Sequence, residues 1–270
     1  MGNTYSANSW LSRPLCRRYI AAVFSSTDQL RLIANADGPQ VICWALGSLI
    51  NGESEVLGAW LSKDGTFSPR SSVFGELKAR GAEFIRLGVG NLAGEDASFK
   101  LAYCHGEIVD SVEQALEAVA ARVPPRHRQE MLRCFRAAAE AETLELGRSE
   151  LARFQGSGLG EKYPDVVQLW GDALARFEPI FSLNEQLRGL VRLADRTAAD
   201  VRGRLNRAIL QHGPFSDSGA ALDFVALSLA RAEQRLDRER GNAEAARGVG
   251  RRASGAGLSM SDAVGVPTLA

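Results

Sequence analysis

The sequence predicts an α/β fold, a mixed sheet with packed helices that is interrupted by an all-helical insertion. Short apolar segments separated by turn residues lie between about residues 28 and 110, and a run rich in Ala, Glu and Arg with a helical apolar period follows. The chain has 270 residues and is 45% hydrophobic, which is enough for a substantial core. We expect a leader at 1–22, the first part of the sheet domain at 23–110, the helical insertion at 111–190, helices completing the sheet domain at 191–240, and a disordered tail at 241–270.

The first three strands are expected between residues 28 and 65. The chain there contains three apolar segments, DQLRLIANADG, PQVICWALGSLINGE and SEVLGAWLSKDG. Asp37-Gly38 and Asn51-Gly52 lie at their ends, and Asn-Gly is the strongest short-range hairpin signal. These features predict a meander of three antiparallel strands. The residues before them, 1–22, are polar and irregular, and they predict a loosely packed leader.

The next elements alternate between helix and strand. PRSSVFGELKAR predicts a helix at 69–80 that ends at Gly81, and GAEFIRLGVG predicts a short buried strand because its apolar character is continuous. A brief helix near 95–101 and a strand near 101–109 follow. Three strands, helix, strand, helix, strand is the order of the ribonuclease H-like fold, which we therefore predict for the sheet domain.

The rest of the chain is predicted to be helical. SVEQALEAVAARV ends at Pro124-Pro125, and two further segments with a helical apolar period lead to about Phe154. The stretch from Gly160 to Phe215 predicts two helices, of which the second has a basic outer face and ends before Pro214. The last predicted helix runs from Ser218 to about Arg240. The sequence beyond it has no periodicity and predicts disorder.

Charge and cysteine content narrow the possible functions. With 32 basic and 32 acidic side chains the net charge is zero, so a global basic field for nucleic acid is excluded and any DNA contact must come from local patches. The four cysteines form no CxxC pair, which favours reduced thiols. No apolar run approaches the roughly twenty residues of a membrane helix. We expect a soluble cytoplasmic protein without a membrane partner, nucleoid-associated if it retains DNA binding.

Several segments resemble a known family. GEKYP, LW and FEPIF, followed by HGPFSDSGAALDFVALSLA, resemble the C-terminal part of Mutator-type bacterial insertion-sequence transposases. NGESEVLGAW, ELKARGAEFIRLGVG and RVPPRHRQEMLRCFRA are similar to further family segments, in the family's order, over about residues 28–232. The resemblance implies DNA transposition and recombination at insertion-element ends. It also implies two-metal phosphoryl transfer on an Asp-Asp-Glu triad that holds Mg²⁺ or Mn²⁺.

The resemblance assigns the triad to positions where this chain has mostly lost the carboxylates. The first aspartate matches Asp28 if the Asp37-Gly38 turn sets the register, and Ser25 if Tyr19 sets it; Asp28 is our candidate metal and catalytic residue, with a turn residue as the alternative. The other two positions are Gly90 and Ala199. Asp200 follows Ala199, but one helical step rotates a side chain by about 100°. The family's CxxH pair corresponds to Ser111 and Gln114. We therefore expect no productive metal binding.

Other polar residues are weaker candidates. Arg202, Arg204, Arg207 and His212 are the candidate DNA-binding residues, with an ordinary mixed solvated surface as the alternative. Two histidines and a cysteine, His105, His127 and Cys104, are more typical of surface and core positions than of a metal site.

Three interpretations of function remain open at this point. The first is a degenerate, inactive transposase that lacks the family's N-terminal DNA-binding region. The second is a binding or dimerisation partner that regulates an intact transposase, as a homo-oligomer or hetero-oligomer formed through the apolar stripe of the last helix. The third is a non-functional remnant.

Overall fold

The computed structural model describes residues 10–28, 30–33, 40–62, 71–92 and 94–255. The chain divides into two compact units, Met1–Glu233 and Gln234–Ala270. The first unit contains the whole sheet and all the residues singled out above except those of the tail. In the part of the chain described here, no helix is both long and apolar enough to span a membrane.

A five-stranded mixed sheet forms the centre of the first unit. Its strands are β1 (Arg18–Ser26), β2 (Val41–Ser48), β3 (Ser54–Ser62), β4 (Phe84–Val89) and β5 (Glu107–Val109), in the spatial order β3-β2-β1-β4-β5. The first three strands form an antiparallel meander, whereas β4 pairs parallel to β1 and β5 parallel to β4. The mixed α/β class and the antiparallel meander of the prediction are confirmed.

The position predicted for the first strand was wrong. Strand β1 lies at Arg18–Ser26, mostly inside the predicted leader, and its central residues are buried. The strand is central and buried on both faces, so it lacks the alternation that marks a half-exposed strand, and its alanines have low β-propensity. Of the segment predicted instead, Leu32 forms only an isolated bridge with Phe215, and the predicted turn at 35–38 lies outside the described residues.

Ten helices are present among the described residues. They are α1 (Ser71–Ala79), α2 (Asp96–Ala102), α3 (Val112–Arg122), α4 (Pro125–Ala139), α5 (Leu144–Gln155), α6 (Gly158–Lys162), α7 (Pro164–Arg176), α8 (Glu178–Phe181), α9 (Glu185–His212) and α10 (Ser218–Gly255). Helix α9 packs against β1 and β2. Helix α10 continues past the predicted end near Arg240. The predicted disorder of 241–270 stays a prediction, since 256–270 lie outside the described residues.

One aromatic cluster lies against the sheet, and another lies among the helices of the insertion. Phe74 packs edge-on against Phe24 of β1 and Phe99 of α2, with ring centroids 5.7 and 5.2 Å apart. Among the helices of the insertion, Trp170 stacks on Phe135 at 5.0 Å with nearly parallel rings. The apolar residues Val166, Val167, Trp170, Ala173 and Leu174 of α7 are buried, because residues at this spacing lie on one side of a helix.

A polar contact holds the start of the chain and α10 against the edge strand β3. Glu233 accepts hydrogen bonds from the Val56 N–H at 2.7 Å and from the Arg13 guanidinium at 2.6 Å, and Arg13 also donates to the Val56 carbonyl at 2.9 Å. Both main-chain groups of Val56 are thus satisfied by side chains, which covers part of an otherwise open sheet edge. The apolar residues Ala221, Val225 and Leu229 of α10 are fully buried, so the stripe proposed as a partner surface is used inside the fold.

Candidate active site

The carboxyl ends of β1, β4 and β5 meet at one edge of the sheet, because these three strands are parallel. In α/β sheets this edge is where ligands bind and where catalytic residues lie. Ser25 lies in the last part of β1, Gly90 directly follows β4, and Ser111 follows β5. Helix α9 reaches this edge through Asp195, as its hydrogen bonds to Ser111 and Glu113 show. The edge is therefore the candidate active site.

Gly90 occupies a backbone position that excludes a side chain. Its φ is +143°, a conformation that residues with a Cβ rarely adopt. A Cβ built on Gly90 would lie 2.7 Å from the carbonyl oxygen of Phe24, well inside normal contact distance. The Gly90 N–H donates to the Val109 carbonyl at 2.9 Å, which holds the residue in place. Glycine is thus required by the local packing, and an aspartate would be strained here.

Ser111 and Gln114, which the resemblance assigns to the family's CxxH pair, make hydrogen bonds within the protein. Ser111 caps α3, its hydroxyl accepting from the Gln114 N–H at 3.1 Å. The Gln114 side-chain amide donates to the Phe24 carbonyl at 3.1 Å. The same carbonyl oxygen is the one that Gly90 approaches closely.

Asp195 is the residue at this edge that the sequence analysis missed. Its carboxylate is buried, with the residue only 5% exposed, and it accepts from the Ser111 hydroxyl at 2.5 Å and from the Glu113 N–H at 3.1 Å. Burial raises the pKa of Asp195 to about 6, although both hydrogen bonds act in the opposite direction. Asp195 lies four residues before Ala199, on the same helical face, and that spacing was the available signal.

Charged side chains surround Asp195 at the junction of α3, α4 and α9. Arg136 binds both carboxylate oxygens of Glu113, at 2.6 and 2.9 Å, and its pKa is raised mainly by this contact. Arg196 pairs with Glu140. The acidic and basic groups here are bound to one another, so Asp195 is the carboxylate turned toward the core.

Asp28 follows β1 by two residues. It is exposed in the bend after β1, and its N–H donates to the Asn206 side-chain oxygen at 3.1 Å. Asn206 follows Ala199 by seven residues, which corresponds to about 10 Å along the helix axis. Ser25, the alternative match, is 4% exposed and follows Phe24 directly. Ser25 is thus next in the chain to the Phe24 carbonyl that Gly90 approaches, whereas the Asp28 N–H binds Asn206 of α9.

The other carboxylates near the edge do not converge with Asp28. Asp96 and Glu107 line a cavity of about 820 Å³, whereas Asp28 lines a separate one of about 380 Å³. Asp200 is exposed on the outer side of α9. Across all described residues, no three His, Cys, Asp or Glu side chains are arranged to hold a metal ion. Because divalent cations of this kind need several oxygen ligands, the residues that the resemblance assigns to the triad, Asp28, Gly90 and Ala199, do not fit a two-metal site.

The four candidate DNA-binding residues have different surroundings. Arg202 is only partly exposed and forms an ion pair with Glu117 of α3. His212 stacks on Phe215, with ring centroids 4.3 Å apart and nearly parallel planes. Arg204 and Arg207 are exposed, and Arg207 lines the 380 Å³ cavity. Positions three apart share a helix face, so Arg204 and Arg207 point the same way.

The remaining candidates lie elsewhere. Cys104 and His105 are exposed in the turn before β5. His127 contacts the Tyr163 hydroxyl through Nδ1 at 2.9 Å, and its pKa is lowered by partial burial and by Lys162 and Arg126 nearby.

Comparison with known proteins identifies the family. A family model described as "Transposase, Mutator family" matches residues 4–236. The chain is 26% identical over 241 residues to the transposase for insertion sequence element ISRM3 of Rhizobium meliloti (strain 1021), covering 86% of this chain and 58% of that protein. It is also 26% identical over 237 residues to a probable insertion-sequence transposase of Corynebacterium diphtheriae, covering 86% of this chain and 67% of that protein. The chain thus spans little more than half the length of the ISRM3 transposase. With most of its length matched by that model, the chain belongs to the Mutator family of transposases.

Proposed function

We propose that this chain retains the ribonuclease H-like frame of a Mutator-family transposase but does not cleave or join DNA by two-metal chemistry. The observation that carries the proposal is Gly90, whose backbone conformation and contact with Phe24 leave no room for a carboxylate. Ala199 removes a second ligand. A two-metal mechanism needs bridging carboxylates to hold both ions, and a single aspartate does not replace them.

The sheet order supports the ribonuclease H-like part of the proposal. A meander of three antiparallel strands, followed by two parallel strands on the other side of β1, agrees with the element order expected from the sequence. Helix α9 packs across β1 and β2, in keeping with a C-terminal helix that completes the core.

The catalytic part is tested by an activity assay on the full chain. DNA that carries the ends of the host element is incubated with the protein and with Mg²⁺ or Mn²⁺, and nicking and strand transfer are measured. We expect none above background. Activity in the unmodified protein that Asp28→Asn abolishes would overturn the proposal and reinstate Asp28 as a metal ligand.

DNA binding without cleavage is the role we propose for the basic side of α9. Arg204 and Arg207 are solvent-exposed on one helix face, and Arg31 lines the same cavity as Arg207. Such contacts act on phosphates and carry little sequence information. Two or three arginines on a chain of zero net charge are expected to give weak binding, with Kd on the order of 10–100 μM at physiological salt. Arg202 and His212 contribute less, because protein contacts already hold them.

A regulatory partner role is the second candidate, and exposed apolar residues favour it. Ile50 in the β2–β3 turn is 72% exposed and Leu193 of α9 is 55% exposed. Leu190, one turn from Leu193, lies against Gly52 of the same β2–β3 turn, so these elements are neighbours. We propose association with a second copy or an intact transposase through this surface. Light scattering measures it: Leu193→Glu is expected to shift any dimer to monomer, and a strictly monomeric unmodified protein that ignores an intact relative contradicts the idea.

A further inference from the structure

We infer that the former active-site edge now works as a metal-free structural joint, in which Asp195, Ser111 and Gln114 fasten the helical insertion to the sheet. This inference rests on the proposed loss of two-metal chemistry. It goes further, because it assigns a present role to the residues that occupy the edge. The joint consists of these three side chains together with Phe24 and Gly90.

The joint connects three elements that are distant in the sequence. Ser111 caps the start of α3, Asp195 belongs to α9, and Phe24 belongs to β1. The Ser111 hydroxyl links α3 to α9 through Asp195, and the Gln114 amide links α3 to β1 through the Phe24 carbonyl. Helix α3 begins the insertion, so these bonds set its position against the sheet.

The polar groups of the joint are satisfied by one another. Both carboxylate oxygens of Asp195 accept a hydrogen bond, one from a hydroxyl and one from the Glu113 main-chain N–H in the first turn of α3. A buried carboxylate that accepts two hydrogen bonds near a helix N-terminus is partly compensated without a cation. Two residues at the family's CxxH positions have become donors within the joint. A divalent ion is therefore not required to keep this edge folded.

Gly90 allows the sheet side of the joint to close. Its missing Cβ lets the chain after β4 pass within contact distance of the Phe24 carbonyl, which Gln114 binds from the insertion side. A side chain at position 90 would displace that carbonyl or the end of β4. We therefore expect a substitution here to weaken the Gln114 contact as well as the local backbone.

Gly94 provides a matched control for Gly90. Both glycines have positive φ, +143° and +87°, but a Cβ at Gly94 would meet nothing within 4 Å. Both changes place a Cβ on a positive-φ residue, but +143° is less accessible to other residues than +87°, so the difference between the two variants reports backbone strain at Gly90 together with its steric contact. We expect Gly90→Ala to lower the melting temperature by at least about 5 °C more than Gly94→Ala. Equal effects would contradict the joint.

A double-mutant cycle tests the joint even if Gly90→Ala does not fold. Ser111→Ala, Asp195→Ala and the double variant are compared by thermal unfolding, with Asp172→Asn on the exposed side of α7 as the control. The two single losses should be non-additive, since the residues share one hydrogen bond, whereas Asp172→Asn should leave the melting temperature unchanged. Additive losses within error would overturn the inference.

A metal titration separates the inference from the proposed function. The unmodified chain is melted with EDTA and with excess Mn²⁺, and the melting temperature is expected to be the same within about 1 °C, because a ligand that binds only the folded state would raise it. A Mn²⁺-dependent rise together with DNA nicking contradicts the proposed function. An inert, metal-indifferent protein with additive Ser111 and Asp195 effects contradicts the joint alone.

Discussion

Replacing Asp195 with asparagine is expected to remove a pH dependence from the stability of the protein. The pKa of Asp195 is raised in the folded state, from its ordinary value of 3.8 to about 6, chiefly because the carboxylate is buried. A group with a raised folded-state pKa binds its proton more tightly when folded. The free energy of unfolding therefore falls as the pH rises from about 4 to about 6. At higher pH the contribution of Asp195 to the free energy of unfolding no longer changes.

The size of this effect follows from the two pKa values. The difference between 3.8 and about 6 corresponds to about 3 kcal/mol, since one pKa unit equals about 1.4 kcal/mol. The asparagine of the Asp195→Asn variant carries no charge at any of these pH values. The stability of the unmodified protein relative to the variant should thus decline by up to about 3 kcal/mol between pH 4 and pH 7. Urea unfolding at several pH values measures this difference directly.

The other charged groups near Asp195 are the same in both proteins, so their titration largely cancels in the comparison. These neighbouring side chains are Glu113, Glu140, Arg136, Arg192 and Arg196. Asp172→Asn on the exposed side of α7 controls for the loss of a carboxylate in general. A stability difference between Asp195→Asn and the unmodified protein that stays constant from pH 4 to pH 7 would refute the reasoning and indicate an ordinary pKa.

Contacts elsewhere in the molecule lead to three more predictions. Trp170→Ala should lower the free energy of unfolding by about 3–5 kcal/mol in urea titrations, because a fully buried ring stacked on Phe135 is removed. Glu233→Ala should cost about 1.5–3 kcal/mol by the same measurement, since the Val56 N–H loses a charged acceptor. If α9 binds DNA, the double change Arg204→Ala and Arg207→Ala should remove two phosphate contacts. The slope of the logarithm of the binding constant against the logarithm of the salt concentration, measured by fluorescence anisotropy, should then be smaller by about two.

The fold was largely predictable from the sequence, except where burial of both faces of a strand removes the alternation of apolar and polar residues. The Asn51-Gly52 turn is present with φ of +84° at Gly52. The predicted glycine stop after α1 is also present, because Gly81 has a positive φ. These features depend on local backbone chemistry, which a few residues determine. Strand β1 was missed because both of its faces are buried, so its pattern depends on neighbouring elements.

The sequence predicted which positions of the candidate site lack carboxylates, but not which contacts occupy that site. The assignment of Gly90 and Ala199 to carboxylate positions follows from the resemblance of their segments to the family, and it stays a prediction. The role of Asp195 could not, because its partners Ser111 and Glu113 are more than 80 residues away in the chain. Likewise, Arg202 and Arg204 are both plausible phosphate ligands in the sequence, and only the packing of α3 against α9 directs Arg202 to Glu117.

The sequence by itself indicated the family and the α/β class, because residue identity and local periodicity are properties of the linear chain, and it predicted that carboxylates are missing at Gly90 and Ala199. Only the tertiary structure decided that Gly90 is required rather than merely tolerated, since the obstacle to a side chain is the Phe24 carbonyl of another strand. It also decided that Asp195 faces the core and is hydrogen-bonded there. Burial and hydrogen bonding between distant segments are properties of the folded chain, and the sequence alone does not show them.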